Sequence, residues 1–433
     1  MPFKAYDIRG VYPTQIDEEF AYSLGRTLGK KHDPVAIGYD SRIGSNNIRD
    51  YFINGVMDEI SDVGYIGLVS TPLLYYITKD NYSLGVMITA SHNPKEYTGF
   101  KACDKNAIPL SPVNEIKRDF KIYRPPKDLR QVELSKQDMI ASYKNFFISK
   151  LSELKKYRIV SDHSNGSTVV ENEILKEVFS DIITMNDSPD GNFPSHPPNS
   201  IGHESTRILK EKVLQSKSDL GIIFDGDGDR IGFIDEKGNE VRGDILTAII
   251  SREILKEKKG EKILYDLRSS KAVPEMIRDS GGYPIKSRVG HPFIKKLLRK
   301  EGAFFAGELS NHFYFKEIGG FEAPLLALYY VLKSLDYKPL SEQANELLKY
   351  CHSGEINIRC LDPQEKIEEL ERHFKDQKIE KVDGVTISEN TWWFNARPSN
   401  TEPLLRITAE ASDDETLKFI LSKVKEIVMG VEQ

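Results

Sequence analysis

The chain has 433 residues, with 60 Lys and Arg against 66 Asp and Glu, a formal net charge of −6 and three cysteines. That length exceeds what one ordinary core serves and implies several domains. The near-even charge lacks the basic excess of a protein that binds nucleic acid through its phosphates. Cys103, Cys351 and Cys360 show no close spacing, so neither a disulfide framework nor a zinc knuckle is expected.

From the N-terminus, Met1 to Asp7 carries neither the charged nor the apolar block of a signal peptide, and no apolar run reaches membrane-spanning length. A soluble cytoplasmic protein with no membrane partner is expected. Apolar residues at helical spacing predict helices over Ile16 to Lys31 and Asn47 to Ser61, with a strand from Val35 to Tyr39 between them. A strand from Leu84 to Thr89 follows. Arg124-Pro125-Pro126-Lys127 then reads as an extended connection, because its prolines cannot sit inside a helix. Beyond it come strand Arg158 to Ser161, helix Glu171 to Phe179, helix Thr206 to Gln215 and strand Leu220 to Phe224. Helix Asp244 to Lys256, strand Ile263 to Tyr265 and helix Pro324 to Leu335 complete an alternation typical of α/β layers. From about Cys351 the pattern changes to strand, helix, strand, strand, helix, which suggests a small α+β domain.

A weak internal repetition adds to this. In three places the sixth residue after a glycine is polar: Gly85 and Ser91, Gly221 and Asp227, Gly302 and Glu308. Three related α/β units would present three loops from equivalent strand ends, where open sheets place their ligands, although strand followed by loop is common in any α/β protein. The expected domains are residues 1–136, 137–239, 240–351 and 352–433.

Two segments carry the chemistry. Thr89-Ala90-Ser91-His92-Asn93-Pro94 offers a hydroxyl on a tight polar turn, and Asp225-Gly226-Asp227-Gly228-Asp229-Arg230 offers alternating carboxylates followed by a cation. A serine that carries a phosphoryl group needs a hard divalent ion nearby, and magnesium prefers carboxylate oxygens. Together they point to phosphoryl transfer through a phosphoserine. Ser91 alone would read as a local backbone cap. Its neighbours alter that: His92 and Asn93 can donate to phosphate oxygens, and Lys101 can fold back over the loop, with a solvated surface charge as the plain alternative. Asp-x-Asp-x-Asp also opens a calcium loop, and Glu236 falls at its twelfth position. Against that, Arg230 stands where the sharp turn requires glycine, and the preceding residues read as a strand.

Further along, Arg397-Pro398-Ser399-Asn400-Thr401-Glu402-Pro403 gathers a guanidinium, hydroxyls and turn amides into an anion cradle, or else a plain Asx or Ser turn. Glu308 and Ser310 in Gly307-Glu308-Leu309-Ser310-Asn311-His312 suit paired sugar hydroxyls. His291 and His312 are candidate donors or proton carriers, or satisfy local hydrogen bonds. The chain has no Gly-x-x-x-x-Gly-Lys-Ser/Thr phosphate loop, which argues against an ATP-driven kinase of that type.

In this order the segments resemble the α-D-phosphohexomutase superfamily, most closely its phosphomannomutase/phosphoglucomutase branch, from Tyr6-Asp7-Ile8-Arg9-Gly10 through to Arg397-Pro398-Ser399-Asn400-Thr401. The resemblance implies three similar α/β domains with mixed sheets between helices, plus a smaller C-terminal α+β domain, around a central active-site cleft. It implies that Ser91 is the phosphoserine and that Asp225, Asp227 and Asp229 hold magnesium together with the phosphate on Ser91. Arg9, Asn93, Lys101 and Arg230 would surround the transferring group. Glu308 and Ser310 would bind sugar hydroxyls, with Tyr6, Arg268 and His312 in the same substrate-binding set, and Arg397, Ser399, Asn400 and Thr401 would hold the unreactive phosphate. The implied reaction interconverts hexose 1-phosphate and hexose 6-phosphate, of mannose and/or glucose. It passes through a hexose 1,6-bisphosphate, which is both intermediate and activator. The partners are small sugar phosphates, and a monomer or homodimer is expected.

Three departures from the family pattern stand out. Arg268 in Asp266-Leu267-Arg268 occupies a place where relatives often have lysine, a candidate proton carrier, and arginine rarely gives up its proton. Acid or base duty then falls to His291, to His312 or to an aspartate-bound water. Asn311 stands where many members have glycine, and Gly319 to Pro324 lacks the paired aspartates often seen there. Leu309 resembles members that accept both gluco and manno sugars, which differ only at the 2-hydroxyl. Phosphoglucosamine mutase is the alternative inside the family. A magnesium-dependent sugar phosphatase and a silent sugar-phosphate binder are alternatives of other classes.

Overall fold

The computed structural model describes residues 2–4, 6–135, 137–399 and 404–430. Its chain divides into two compact units, residues 1–243 with 310–341, and residues 244–309 with 342–433. Among the described residues no helix is long and apolar enough to cross a membrane.

The first unit holds two sheets of the same design. In one, strand Val35–Tyr39 runs parallel between Val63–Leu68 and Leu84–Ile88, and Tyr97–Asp104 then pairs antiparallel with Leu84–Ile88 and with Ile8–Val11. In the other, Ile159–Asp162 runs parallel between Ile183–Met185 and Leu220–Phe224, and Ile231–Ile234 pairs antiparallel with Leu220–Phe224 and with Glu240–Val241. The second unit repeats the parallel core, with Lys262–Asp266 between Tyr283–Ser287 and Phe305–Gly307. Leu84–Ile88, Leu220–Phe224 and Phe305–Gly307 are therefore equivalent strands, and the loops that leave them carry Ser91, Asp227 and Glu308. All three are buried along their whole length, which explains their unbroken apolar runs.

The C-terminal segment is a five-stranded antiparallel sheet in the order Cys351–Arg359, Leu404–Ala411, Trp392–Pro398, Val385–Ser388, Lys378–Glu380. Helices Pro363–His373 and Asp414–Met429 pack their apolar faces on it, with Leu370, Ile420 and Val424 in one cluster with Phe394 and Ile407. Four strands lie between these helices where the pattern predicted two. Lys378–Glu380 is a three-residue strand that only pairs with Val385–Ser388, and Trp392–Pro398 and Leu404–Ala411 lie close together in sequence, with residues 399–403 between them.

Several helix limits follow local chemistry. Glu18–Gly29 starts where the Asp17 carboxylate accepts from the Phe20 N–H, with Glu18 and Glu19 in its first turn, and it buries Phe20, Leu24 and Leu28. Helix Ile43–Met57 begins four residues before the Asn47 expected from periodicity and lies against it backbone to backbone. A Cβ on Gly25 would sit 2.2 Å from Phe52 O, and one on Gly55 would sit 2.1 Å from Tyr22 O.

Gly55→Ala is therefore expected to force the two helices apart and destabilise the first unit by about 2 kcal/mol, as overpacking of a tight core does. Thermal unfolding would show this as a lowered midpoint, and an unchanged midpoint would mean that the helices slide freely.

Candidate active site

The strand ends of the first unit bring the two chemical segments together. Ser91 leaves strand Leu84–Ile88 with φ 52°, a left-handed conformation that few residues other than glycine adopt. Its Oγ donates to Asp225 Oδ2 at 3.0 Å and lies 3.3 Å from His92 Nδ1. Gly226 makes this approach possible, since a Cβ there would sit 2.7 Å from Ser91 O. Asp225, Asp227 and Asp229 are all buried, and one carboxylate oxygen from each lies within 4.8 Å of the others. The loop ends in strand Ile231–Ile234, and Glu236 accepts from the Ser341 hydroxyl and N–H, so a helix-flanked calcium loop does not form.

Lys101, on strand Tyr97–Asp104, is buried with its ammonium 2.6 Å from both Asp227 Oδ2 and Asp229 Oδ2. Burial disfavours its charge, but the two aspartates outweigh burial and raise its pKa, so it stays protonated. The carboxylates differ from one another. Burial, followed by the charges of Asp229 and Asp227, pushes Asp225 well above the usual carboxylate range. Burial acts on Asp229 too, yet Lys101 and His312 hold it well below that range. Asp227 Oδ1 is buried without a hydrogen-bond partner. Three clustered carboxylates with an orphaned buried oxygen are a donor set that fits a hard divalent cation such as magnesium.

The other residues expected around the transferring group are also in this unit. Arg9, on strand Ile8–Val11, donates from Nη1 to Asn93 Oδ1 at 2.6 Å and pairs with Asp7 at 2.6 Å. Arg230 donates its backbone N–H to Asp225 Oδ1 at 3.2 Å and its Nε to His312 Nε2 at 3.2 Å. His312 Nε2 also faces Asp229 Oδ1 at 3.3 Å, and its Nδ1 lies 3.2 Å from Ser310 Oγ. Its imidazole sits between a donor and a carboxylate. Asn311 has φ 65°, which accounts for the glycine expected there, since Asn is among the residues that tolerate this conformation. His92 is kept neutral by burial and by Arg230 and Arg9, which push its pKa well below the usual histidine value. Tyr6 is half-buried, two residues ahead of strand Ile8–Val11.

Sequence reasoning missed Thr71. It opens helix Thr71–Asn81, where its Oγ1 donates to Asp227 Oδ2 at 2.6 Å and its N–H to Asp227 O at 2.8 Å. Ser70 caps that helix and donates to the buried Glu171 at 2.6 Å. A Ser-Thr-Pro sequence after an apolar strand is a legible helix start, but nothing in it names the aspartate it serves.

The second unit holds the rest. Arg268 is buried, with Nη2 2.7 Å from Asp266 Oδ2 and 3.7 Å from Glu308 Oε2, and Nη1 3.2 Å from Glu355 Oε2. Burial opposes its charge, but Asp266, Glu355 and Glu308 outweigh it and raise the pKa, so Arg268 keeps its proton and cannot pass it on. Glu355, also missed, accepts from Arg397 Nη2 at 2.5 Å and from Arg406 Nη1 at 2.8 Å, and Arg406 reaches Ser399 Oγ at 3.4 Å. Arg397 and Arg406 are register partners on adjacent strands, a like-charge pair that Glu355 makes tenable. Although burial works against its charge, the three arginines hold the Glu355 carboxyl at about 2. His291 starts helix His291–Glu301, half-buried. Asn400 and Thr401 lie outside the described residues.

Comparison with known proteins places these features in context. Four family models match in succession, described as phosphoglucomutase/phosphomannomutase alpha/beta/alpha domain I over residues 1–124, domain II over 137–238 and domain III over 242–351, and the C-terminal domain over 355–427. The chain is 53% identical to a phosphomannomutase of Methanocaldococcus jannaschii, over 99% of this chain and 97% of the relative. It is 32% identical to a phosphomannomutase/phosphoglucomutase of Pseudomonas syringae, over 96% and 93%. Among solved structures, a phosphoglucomutase/phosphomannomutase family protein of Burkholderia thailandensis superposes with a TM-score of 0.86 at 25% identity, covering 100% of this chain and 98% of that one.

Two expectations follow from the geometry. Asp227→Asn should weaken divalent binding by at least about tenfold, because charge count sets the affinity of such sites. Titration with Mn²⁺ followed by electron paramagnetic resonance would measure it, and unchanged affinity would remove Asp227 from the donor set. Glu355 has a folded-state pKa below its unfolded value, so it stabilises the fold above about pH 4.5 and loses that contribution as pH falls toward 2. Glu355→Gln should accordingly flatten the acid limb of stability against pH, read by denaturant unfolding from pH 6 down to about 3.

Proposed function

The chain belongs to the phosphoglucomutase/phosphomannomutase family and is a phosphohexomutase, and we propose that it interconverts mannose 1-phosphate and mannose 6-phosphate through a phosphoserine at Ser91. The observation that carries this is the 3.0 Å contact from Ser91 Oγ to a buried cluster of three carboxylates whose charge a lysine only partly offsets. The mannose preference rests on the 53% identical relative that bears the name phosphomannomutase. Glucose phosphates are expected as second substrates, since a site anchored on shared hydroxyls tolerates an altered 2-hydroxyl.

Asp225, Asp227 and Asp229 would hold magnesium, which supplies positive charge against the phosphoryl oxygens. Lys101, Arg9 and Arg230 supply further positive charge from fixed positions. In the first half-reaction the Ser91 Oγ–P bond breaks as a sugar hydroxyl oxygen bonds the same phosphorus, and the hydroxyl proton passes to a base. In the second, the sugar oxygen–phosphorus bond of the other phosphate breaks as that phosphorus bonds Ser91 Oγ; the sugar oxygen takes up a proton, and Ser91 Oγ gives up the one it gained when its own phosphoryl group left. Arg268 cannot serve in either proton transfer. His312, a titratable ring between Arg230 and Asp229, is the proton carrier we assign, with His291 as the other candidate. Glu308 and Ser310 would take sugar hydroxyls, with Arg397 and Ser399 on the unreactive phosphate.

Phosphorus NMR of the protein with magnesium, mannose 1-phosphate and a trace of hexose 1,6-bisphosphate tests the assignment. Conversion of the anomeric phosphate signal to the 6-phosphate signal is expected. Free phosphate would indicate a phosphatase, faster conversion of glucosamine 1-phosphate would indicate phosphoglucosamine mutase, and no change would indicate a silent binder. Ser91→Ala should abolish turnover without changing the melting temperature, and full activity in that variant would refute the phosphoserine.

A further inference from the structure

Taking Ser91 as the nucleophile proposed above, we propose that Arg42 is a positioning residue that clamps the serine loop and holds Ser91 in the left-handed conformation from which its Oγ faces Asp225. Arg42 is fully buried and follows strand Val35–Tyr39, the parallel neighbour of the strand that leads to Ser91. Its Nη2 donates to Ser91 O and Asn93 O, each at 2.5 Å, and its Nη1 to Pro94 O at 2.7 Å and Tyr97 O at 3.1 Å. One guanidinium thus gathers four carbonyls of a single loop.

The amide side of Ser91 is tied to the same point. Its N–H donates to Thr89 Oγ1 at 2.8 Å, and Thr89 Oγ1 donates to Asp40 Oδ2 at 2.6 Å. Asp40 Oδ2 in turn accepts from Arg42 Nε at 3.1 Å. Both backbone polar groups of the residue at φ 52° therefore end on one buried ion pair, an over-determination that can hold a non-glycine residue in a sparsely populated conformation. The Phe193 ring covers the guanidinium at 5.1 Å. A Cβ on Gly191 would sit 2.6 Å from Ser41 O, so the segment bearing Phe193 packs directly on the Arg42 backbone. A lysine could not replace this clamp, because three donors on a point charge cannot reach Asp40 and four diverging carbonyls.

The clamp acts on the nucleophile and leaves the groups assigned to the sugar and its unreactive phosphate untouched, so its loss should lower transfer without changing substrate affinity. Arg42→Lys in the full-length protein is the test, read by single-turnover loss of ³²P from Ser91 after labelling with hexose 1,6-bisphosphate, and by KM for mannose 1-phosphate. The expected result is a transfer rate lowered about 100-fold, the scale of a small misplacement of a reacting atom, with KM within about threefold of wild type. A wild-type transfer rate, or a loss shared equally between rate and KM, would overturn the clamp. Should Arg42→Lys not fold, Phe193→Leu, which only uncovers the guanidinium, decides by the same two readouts with a loss of about tenfold expected. Failure of wild-type protein to take up label would instead strike the phosphoserine itself and take the clamp with it.

Discussion

Three carboxylates with oxygens inside 4.8 Å, all buried, cannot be charged together without cations close by. That constraint orders the rest of the first unit. Lys101 comes from the strand after the serine loop, at the register position facing Met87, and its ammonium meets two of the three aspartates. The opening turn of helix Thr71–Asn81 adds two donors to Asp227. Arg230 contributes its own N–H to Asp225. Even so, burial and the charges of Asp229 and Asp227 push the Asp225 carboxyl well above the usual carboxylate range. Asp227 Oδ1 still lacks a hydrogen-bond partner, and the serine hydroxyl stands at Asp225 in the same cluster.

The backbone is arranged to serve that meeting. Ser91 leaves its strand in a left-handed turn, and Gly226 lacks the Cβ that would collide with the serine carbonyl. The two loops leave equivalent strands of two sheets with the same connectivity, so their approach follows from how the repeated units pack within the first unit. Gly226 is then more than a turn residue in a Gly-rich run: its missing side chain is the space in which the serine backbone sits.

Much of this was legible in the sequence, and what was not has definite causes. Leu84–Ile88 and Leu220–Phe224 stood out because strands buried on both faces are apolar throughout, and the polar residues after them marked the loops. Ser91 and the aspartates were recognisable because their chemistry is concentrated in short segments. Arg42, Thr71 and Glu355 escaped because their partners are distant in sequence: Arg42 meets Ser91 across 49 residues, Thr71 meets Asp227 across 156, and Glu355 meets Arg397 across 42. An isolated arginine after a strand looks like a surface charge until four carbonyls are found around it. The extra strands of the C-terminal sheet escaped for a different reason: Lys378–Glu380 has too few residues for a period of two to show, and Trp392–Pro398 and Leu404–Ala411 lie close together in sequence.

Proton traffic in the reaction is bounded by what surrounds each candidate. A lysine at position 268 could be tuned to lose a proton. Here the guanidinium lies among Asp266, Glu308 and Glu355, all of which stabilise its charge, so the position is a fixed cation. The same carboxylate, Glu355, also binds Arg397 and Arg406, and so sets how three guanidiniums are spaced. A network of this kind holds its guanidiniums in place without moving protons. The ring we propose for acid-base work, His312, has Ser310 at one nitrogen and both Arg230 and Asp229 at the other.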